Sequence, residues 1–263
     1  MYSLLLTCSS ADIESISADL WEAGTLGIEE LESGGETQLI AAFPSHQAGL
    51  LERFANYSPQ WRLTPPMDWI AETHRAWPAR AIGDRLFLAP PWCDDATPPG
   101  RRRIVHVPGL ACGTGEHPCT QLALIALEKF VRPNTTLIDI GAGSGILAIA
   151  ALRLGAARAI ALDPDEAALQ TARTNFSLNA LQPLLIAGSA DCIAAGTADI
   201  AIANINATVL LSIFDDLLRI TRRAGLLVLT GFPQPELPPL QQLLPQAEIS
   251  SLSGWSCVTA TPS

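Results

Sequence analysis

The sequence predicts an α/β protein in which a small acidic α/β unit precedes a mostly parallel sheet covered by helices on both faces. Three observations carry that expectation. From Cys119 onward, apolar strand patterns alternate with helix patterns, and repeated β-α units build parallel sheets buried on both faces. Residues 137–163, LIDIGAGSGILAIAALRLGAARAIALD, read as strand, glycine loop, helix and strand. Residues 1–52 hold nine acids (Asp12, Glu14, Asp19, Glu22, Glu29, Glu30, Glu32, Glu36 and Glu52) and no Lys or Arg, so most of the net charge of −10 sits in the first fifth of the chain.

Composition bounds what such a chain can be. A length of 263 residues allows one large or two modest domains, and 48% hydrophobic against 16% charged residues provides ample core. The longest apolar run, Ile146 to Leu152, falls far short of the ~20 residues of a membrane span. The N-terminus lacks the basic start of a signal peptide. Cys8, Cys93, Cys112, Cys119, Cys192 and Cys257 form no C-x-x-C pair and have no His companion at zinc spacing. They read as reduced thiols, mostly small buried hydrophobes, and no metal site is expected. These features predict a cytoplasmic protein without a membrane partner. The acidic block argues against direct nucleic-acid contact by that module. It fits either docking of a basic partner or a solvated surface. Nothing in the pattern specifies an oligomeric state.

The elements follow in order. Residues 3–8 form a short strand. Ser10 caps a helix over 11–23 with Ile13, Ile16, Leu20 and Trp21 on one face, and Gly24 ends it. Strands 26–31 and 38–43 flank a Ser33-Gly34-Gly35 turn, and 47–57 is a second helix. This β-α-β-β-α order resembles a ferredoxin-like domain lacking its last strand. Thr64-Pro65-Pro66 and Pro78 punctuate a connector rich in Trp (Trp69, Trp77, Trp92). Strands 85–88 and 103–107 bracket an exposed proline-rich loop at 90–100, and Arg101 to Arg103 read as a solvated basic edge. Helices are then predicted at 120–131, 145–155, 165–180, 207–223 and 235–244. Strands are predicted at 135–140, 158–162, 184–188, 199–203, 225–230, 247–251 and 255–260. The last two strands have no helix between them, which predicts an antiparallel hairpin at one sheet edge.

Four segments meet at the carboxyl ends of these strands, where open α/β sheets bind ligands. In the first, Gly141, Gly143 and Gly145 let the backbone turn sharply and a ligand approach the main chain, ahead of unpaired helix N–H groups. The second is Asp163, an acid at the next strand end roughly 20 residues on, placed to accept from a ribose diol. The alternative is a helix cap, with Pro164 suited to the first turn. A dinucleotide fold shares this layout, but the loop reads G-A-G-S-G, not G-x-G-x-x-G, and Asp139 stands two residues before its first glycine. That spacing resembles the S-adenosylmethionine loop of Rossmann-like methyltransferases, and the resemblance implies a loop that wraps a methionine carboxylate and amine. The third segment is the Gly188-Ser189-Ala190-Asp191 turn, whose Asp191 can accept from an adenine amino group or serve as an ordinary turn residue. In the fourth, Ala203-Asn204-Ile205-Asn206, the Asn204 amide can hold a target nitrogen by its carbonyl oxygen, while Asn206 caps the next helix.

Upstream, residues 108–120, PGLACGTGEHPCT, form a constrained loop that leads into a helix headed by Thr120. Glu116 and His117 are its titratable pair. Either could deprotonate an amine, or His117 could simply brace the loop.

Together the 108–120 loop, DIGAGSGILAIAALRLGA, LDPD, ANIN and the late AGLLVLTGF resemble the bacterial ribosomal protein L11 methyltransferases. The resemblance covers most of the chain, and generic methyltransferases lack the 108–120 loop. It implies a Rossmann-like seven-stranded methyltransferase sheet with a small N-terminal ferredoxin-like α/β domain. The expected layout is an acidic substrate-recognition domain at 1–62, a connector at 63–100 and an S-adenosylmethionine-dependent methyltransferase domain at 101–263. It also implies that Thr120, Gly141, Asp163 and Asn204 contact S-adenosyl-L-methionine. With Asp139, Gly143, Gly145 and Asp191 these are the expected cofactor residues, and Asn204, His117 and Glu116 the expected catalytic ones. The implied product is a ribosomal protein methylated on lysine side chains and the N-terminal amine, gripped by the N-terminal domain. The chain departs from the family at Cys112 (usually Phe), Cys119 (usually Thr) and A-N-I-N-A-T (usually A-N-I-L-A), and its N-terminal domain and connector are short. The cofactor residues survive these changes. Two alternatives stay open: methylation of another protein, such as an electron-transfer flavoprotein subunit, and a non-catalytic adenosyl-ligand module.

Overall fold

The structure, a computed structural model, describes residues 1–9, 12–33, 36–63, 77–107, 115–182 and 184–262. The chain divides into two compact units, Met1–Thr73 and His74–Ser263. Ser10, Gly34-Gly35, Thr64-Pro65-Pro66, Trp69 and the loop 108–114 with its Cys112 lie outside the described residues.

The first unit runs β1 (Tyr2–Cys8), α1 (Ile13–Glu22), β2 (Gly27–Ser33), β3 (Glu36–Phe43), α2 (Gly49–Arg53) and β4 (Gln60–Leu63). Its antiparallel sheet has the order β2-β3-β1-β4. The strand missing from the sequence reading is therefore present. β4 pairs with β1 from Tyr2–Leu63 to Leu5–Gln60, and the alternation of its Q-W-R-L is too short at four residues to announce it. Alternate residues of β1 and β3 (Leu4, Leu6, Leu39, Ala41, Phe43) meet Ile16 and Leu20 of α1 in the core. Trp21, expected on the apolar face of α1, is 56% exposed. Ile16 and Leu20 stand four apart and share a face; Trp21 is turned away by one residue's rotation. The predicted helix 47–57 shortens to α2 and a single 3₁₀ turn, Ala55–Tyr57, after which Ser58 at φ +48° reverses the chain into β4.

The second unit opens with β5 (Arg80–Ile82), β6 (Leu86–Ala89) and β7 (Arg102–Val105), a three-stranded sheet in that order. The arginine triplet beside it is not a solvated edge. Arg101 Nη1 donates to the carbonyls of Gly83 (2.9 Å) and Leu86 (2.8 Å). Arg103 donates to the carbonyls of Cys93 and Asp95 and lies over the Phe87 ring. Only Arg102 is exposed. A guanidinium carries five donors in a fixed fork, enough to staple two neighbouring loops.

The main sheet follows with α3 (Pro118–Phe130), β8 (Thr136–Ile140), α4 (Ile146–Leu154), β9 (Arg158–Asp163), α5 (Glu166–Leu178), β10 (Leu184–Ala187) and β11 (Ala198–Asn204). It ends with α6 (Ala207–Ser212), α7 (Phe214–Ile220), β12 (Thr221–Pro233), α8 (Leu237–Leu243), β13 (Glu248–Leu252) and β14 (Trp255–Ala260). The strand order is β10-β9-β8-β11-β12-β14-β13, with β14 antiparallel to both neighbours. The predicted seven-stranded sheet and edge hairpin are both present. Strand residues alternate between two cores. Leu137, Ala159, Ala161, Ile200 and Ile202 pack with α3 and α4, and Ile138, Ile140, Leu162, Ala201 and Ala203 pack with α6, α7 and α8. The predicted helix 207–223 divides at Ile213 and ends at Ile220, and β12 begins at Thr221 instead of 225. Among the described residues no helix is long and apolar enough to cross a membrane.

Candidate active site

The strand order turns from one direction to the other between β8 and β11, the place where an open α/β sheet leaves a crevice. The glycine loop lies there. Gly141, Gly143 and Gly145 all have positive φ (+68°, +53° and +75°), a region that costs an L side chain strain. At Gly141 a Cβ would also sit 2.5 Å from Ile205 Cγ2, so the loop and the A-N-I-N segment touch. The Ala142 N–H donates to the Leu162 carbonyl (2.9 Å), tying the loop to the end of β9.

Asp163 completes that junction. Its Oδ2 accepts from the Gly143 N–H and its Oδ1 from the Asp165 N–H, both at 2.9 Å, and the residue is 8% exposed. It is not the helix cap. Asp165 caps α5 by accepting from the Ala167 N–H, which leaves Pro164 before the first turn and not within it. A carboxylate has about four acceptor positions, so two strong contacts leave capacity for a diol. The Gly188 N–H donates to the Asp163 carbonyl (3.2 Å), placing the following turn alongside. Asp191 stands exposed on that turn, which Arg219 holds through the carbonyls of Ala190 and Ile193.

Asp139 is fully buried. One oxygen accepts from the Ala148 N–H of α4 (3.2 Å), and the other has no partner among the described residues. Burial pushes its carboxyl up to about 7, with the Ala148 N–H opposing and the nearby Asp163 charge adding. The folded protein therefore holds a proton that the unfolded chain releases in the ordinary carboxylate range. Stability should fall as pH rises through that window to about 7 and level off above it. Asp139→Asn is neutral throughout and should flatten that slope, which melting curves from roughly pH 4.5 to 8 would measure.

At the end of β11, Asn204 Nδ2 donates to Thr120 Oγ1 (3.2 Å), and Thr120 is 1% exposed in the first turn of α3. The Asn204 Oδ1 has no hydrogen-bond partner among the described residues. Asn206 caps α6 as predicted, accepting from the Val209 N–H (2.9 Å). A determinant that the sequence reading passed over is Gly231. At φ +102°, a Cβ there would lie 2.4–2.7 Å from backbone atoms of Ile205, so only glycine lets β12 pass behind the Asn204 loop. A glycine inside a strand pattern was the available signal.

Each titratable residue of the upstream loop has a partner. His117, not Thr120, heads α3: its Nδ1 accepts from the Cys119 N–H (3.3 Å), and its ring meets Trp255 edge-on at 4.4 Å. Glu116 pairs with Arg80 and lines a cleft with Trp77 and His106. Cys8, Cys119 and Cys257 are buried, whereas Cys93 is half-buried and Cys192 exposed. Among the described residues no cluster of His, Cys, Asp or Glu could hold a metal.

These groups suit one ligand chemistry. The unpartnered buried oxygen of Asp139 matches an ammonium, the α4 N-terminus a carboxylate, and Asp163 a ribose diol. Sheet and site together define a Rossmann-like methyltransferase that uses S-adenosyl-L-methionine. A family model described as "Ribosomal protein L11 methyltransferase (PrmA)" matches residues 26–260, and the chain belongs to that family. A ribosomal protein L11 methyltransferase of Lactococcus lactis subsp. lactis is 32% identical over 87% of this chain and 84% of its own length. A relative of the same name from Clostridium botulinum is 32% identical over 73% of this chain and 64% of its own. The crystal structure of a ribosomal protein L11 methylase from Lactobacillus delbrueckii subsp. bulgaricus has a TM-score of 0.64. It is 30% identical and covers 70% of this chain and 97% of its own. A 16S rRNA methyltransferase of T. thermophilus, solved with AdoMet and guanosine, shares the fold (TM-score 0.52, 16% identity, 99% of this chain and 65% of its own).

Proposed function

We propose that this protein transfers methyl groups from S-adenosyl-L-methionine to lysine and N-terminal amines of ribosomal protein L11. The observation that carries the reading is Asn204, whose amide nitrogen is held by buried Thr120 while its carbonyl oxygen has no partner among the described residues, one position before the Ile205 that touches Gly141 of the glycine loop. An amine N–H donating to that oxygen would be oriented with its lone pair free. When bound, the cofactor supplies an electrophilic methyl group on a positively charged sulfur and departs as a neutral sulfide. The chain's residues therefore need to position the amine, exclude water and accept a proton. Asp139, Gly141, Gly143, Gly145, Asp163, Asp191, Thr120 and Asn204 hold the cofactor in this reading. With Nδ1 accepting from the Cys119 N–H, neutral His117 carries its proton on Nε2 and has no lone pair to offer. Glu116 pairs with Arg80 through Oε1, and its second carboxylate oxygen is the acceptor for the amine's proton. The test is transfer of labelled methyl from S-adenosyl-L-methionine to purified ribosomal protein L11, with the modified amines located by mass spectrometry. Cofactor binding without transfer to L11, alongside transfer to another protein, would overturn the substrate.

We also propose that residues 1–62 recognise the basic substrate, with residues 63–100 leading to the methyltransferase domain. The acids of this unit are not equivalent. Arg53 pairs with Asp19 (3.0 Å) and Glu22 (2.6 Å). Glu29 and Glu30 are exposed on β2, a strand at the sheet edge, and no cation pairs with them among the described residues. Reversing both (Glu29→Lys, Glu30→Lys) should slow association with L11, more at low salt than at high salt. Stopped-flow association rates against ionic strength would check it; equal rates at every salt would leave these acids as ordinary surface.

A further inference from the structure

We propose that Asn175 of α5 is a positioning residue that seats the glycine loop for the cofactor, an inference resting on the assignment of that loop to S-adenosyl-L-methionine. Asn175 is completely buried. Its Nδ2 donates to the Ser144 carbonyl (2.9 Å), and its Oδ1 accepts from the Val107 N–H (3.1 Å). One amide thus joins the middle of the glycine loop to the segment following β7. The loop needs such an anchor. Ser144 lies between Gly143 and Gly145, both at positive φ, and glycines carry the conformational freedom that binding must remove.

A second contact from α5 reaches the same loop. A Cβ on Gly145 would lie 3.1 Å from Ala172 Cβ and 3.2 Å from Phe176, so the helix face bearing Asn175 is packed directly behind the loop. Only an amide of this length offers both a donor for Ser144 and an acceptor for Val107. Asn179, one turn further along the same face, supplies an internal control. It is 2% exposed. Its Oδ1 accepts from the Val105 N–H (2.9 Å), and its Nδ2 donates to the Val105 carbonyl (2.6 Å). It holds the same β7 segment, its Nδ2 also donates to the Asn175 carbonyl (2.7 Å), and among the described residues it makes no hydrogen bond to the glycine loop.

Asn175→Ala and Asn179→Ala each strip hydrogen bonds from buried or half-buried backbone groups, so both should lower the melting temperature. Only the first should loosen the loop. Asn175→Ala is expected to raise the calorimetric Kd for S-adenosyl-L-methionine about 10-fold or more while kcat at saturating cofactor changes less than ~3-fold; Asn179→Ala should keep that Kd within about 2-fold. Should Asn175→Ala not fold, Asn175→Asp serves in its place. The Asp is isosteric and still accepts from Val107, but once ionised it cannot donate to Ser144. Its cofactor affinity relative to wild type at the same pH should fall as pH rises. Equal rises in Kd for the two alanine variants, an unchanged Kd in folded Asn175→Ala, or a Kd of folded Asn175→Asp that tracks the wild type at every pH would overturn the inference. A wild-type protein that binds no cofactor would instead overturn the assignment of the site on which it rests.

Discussion

Asn204→Ala is expected to lower kcat for methyl transfer to a protein amine by about 100-fold or more, because in the proposed mechanism the reacting nitrogen loses the group that aims it. The amide is held at its nitrogen by a Thr120 hydroxyl that is itself buried. Its free carbonyl is thus set before any substrate arrives. An in-line displacement depends steeply on that alignment, and misplacement by about 1 Å already costs ~100-fold. Cofactor affinity should change far less, since the glycine loop, Asp139 and Asp163 remain. Single-turnover methyl transfer gives the first quantity and calorimetry the second. Thr120→Val, which removes the hydroxyl but keeps the shape, should give a smaller loss in the same direction. An Asn204→Ala enzyme that turns over at the wild-type rate would remove this residue from the mechanism.

Asp163→Ala is expected to weaken S-adenosyl-L-methionine binding by at least ~100-fold. Two charge-assisted hydrogen bonds to a ribose diol contribute roughly 1.5–3 kcal/mol each, and ~1.4 kcal/mol is a factor of ten in affinity. The structure adds a second consequence. The carboxylate also accepts from the Gly143 and Asp165 N–H groups, so its removal frees two backbone donors and unties the loop from β9. A loss of about 1–3 kcal/mol in folding stability should accompany the loss of affinity. Asp163→Asn keeps one carbonyl acceptor and should be intermediate in both. Calorimetric titration of protein shown to be folded by circular dichroism separates the two effects. An unchanged Kd in a folded alanine variant would refute the assignment of this strand end.

Much of the second unit was legible because its signals are local. Apolar runs of strand length alternate with helix-length patterns from 119 onward, and the glycines at 141, 143 and 145 mark one tight turn. The hairpin of β13 and β14 follows from two strands with only Ser253-Gly254 between them. Errors arose where a partner distant in sequence decides. β4 is a strand because β1 offers it an edge. Thr221 leaves the helix because Ala198 pairs with it. Trp21 fits an apolar helix face by composition, yet the sheet meets only the stripe of Ile16 and Leu20.

At the site the division is the same. By itself the sequence determined the sheet, the glycine loop, the acid at the end of β9 and the amide at the end of β11, since each is read from a few consecutive residues. Only the tertiary structure decided how side chains are employed. It set His117 as a cap against Trp255, Glu116 against Arg80, Asp163 on the loop's own backbone and Asn175 behind it. Hydrogen bonds and burial depend on which residues meet in space, and a chain specifies those meetings only through the whole packed fold.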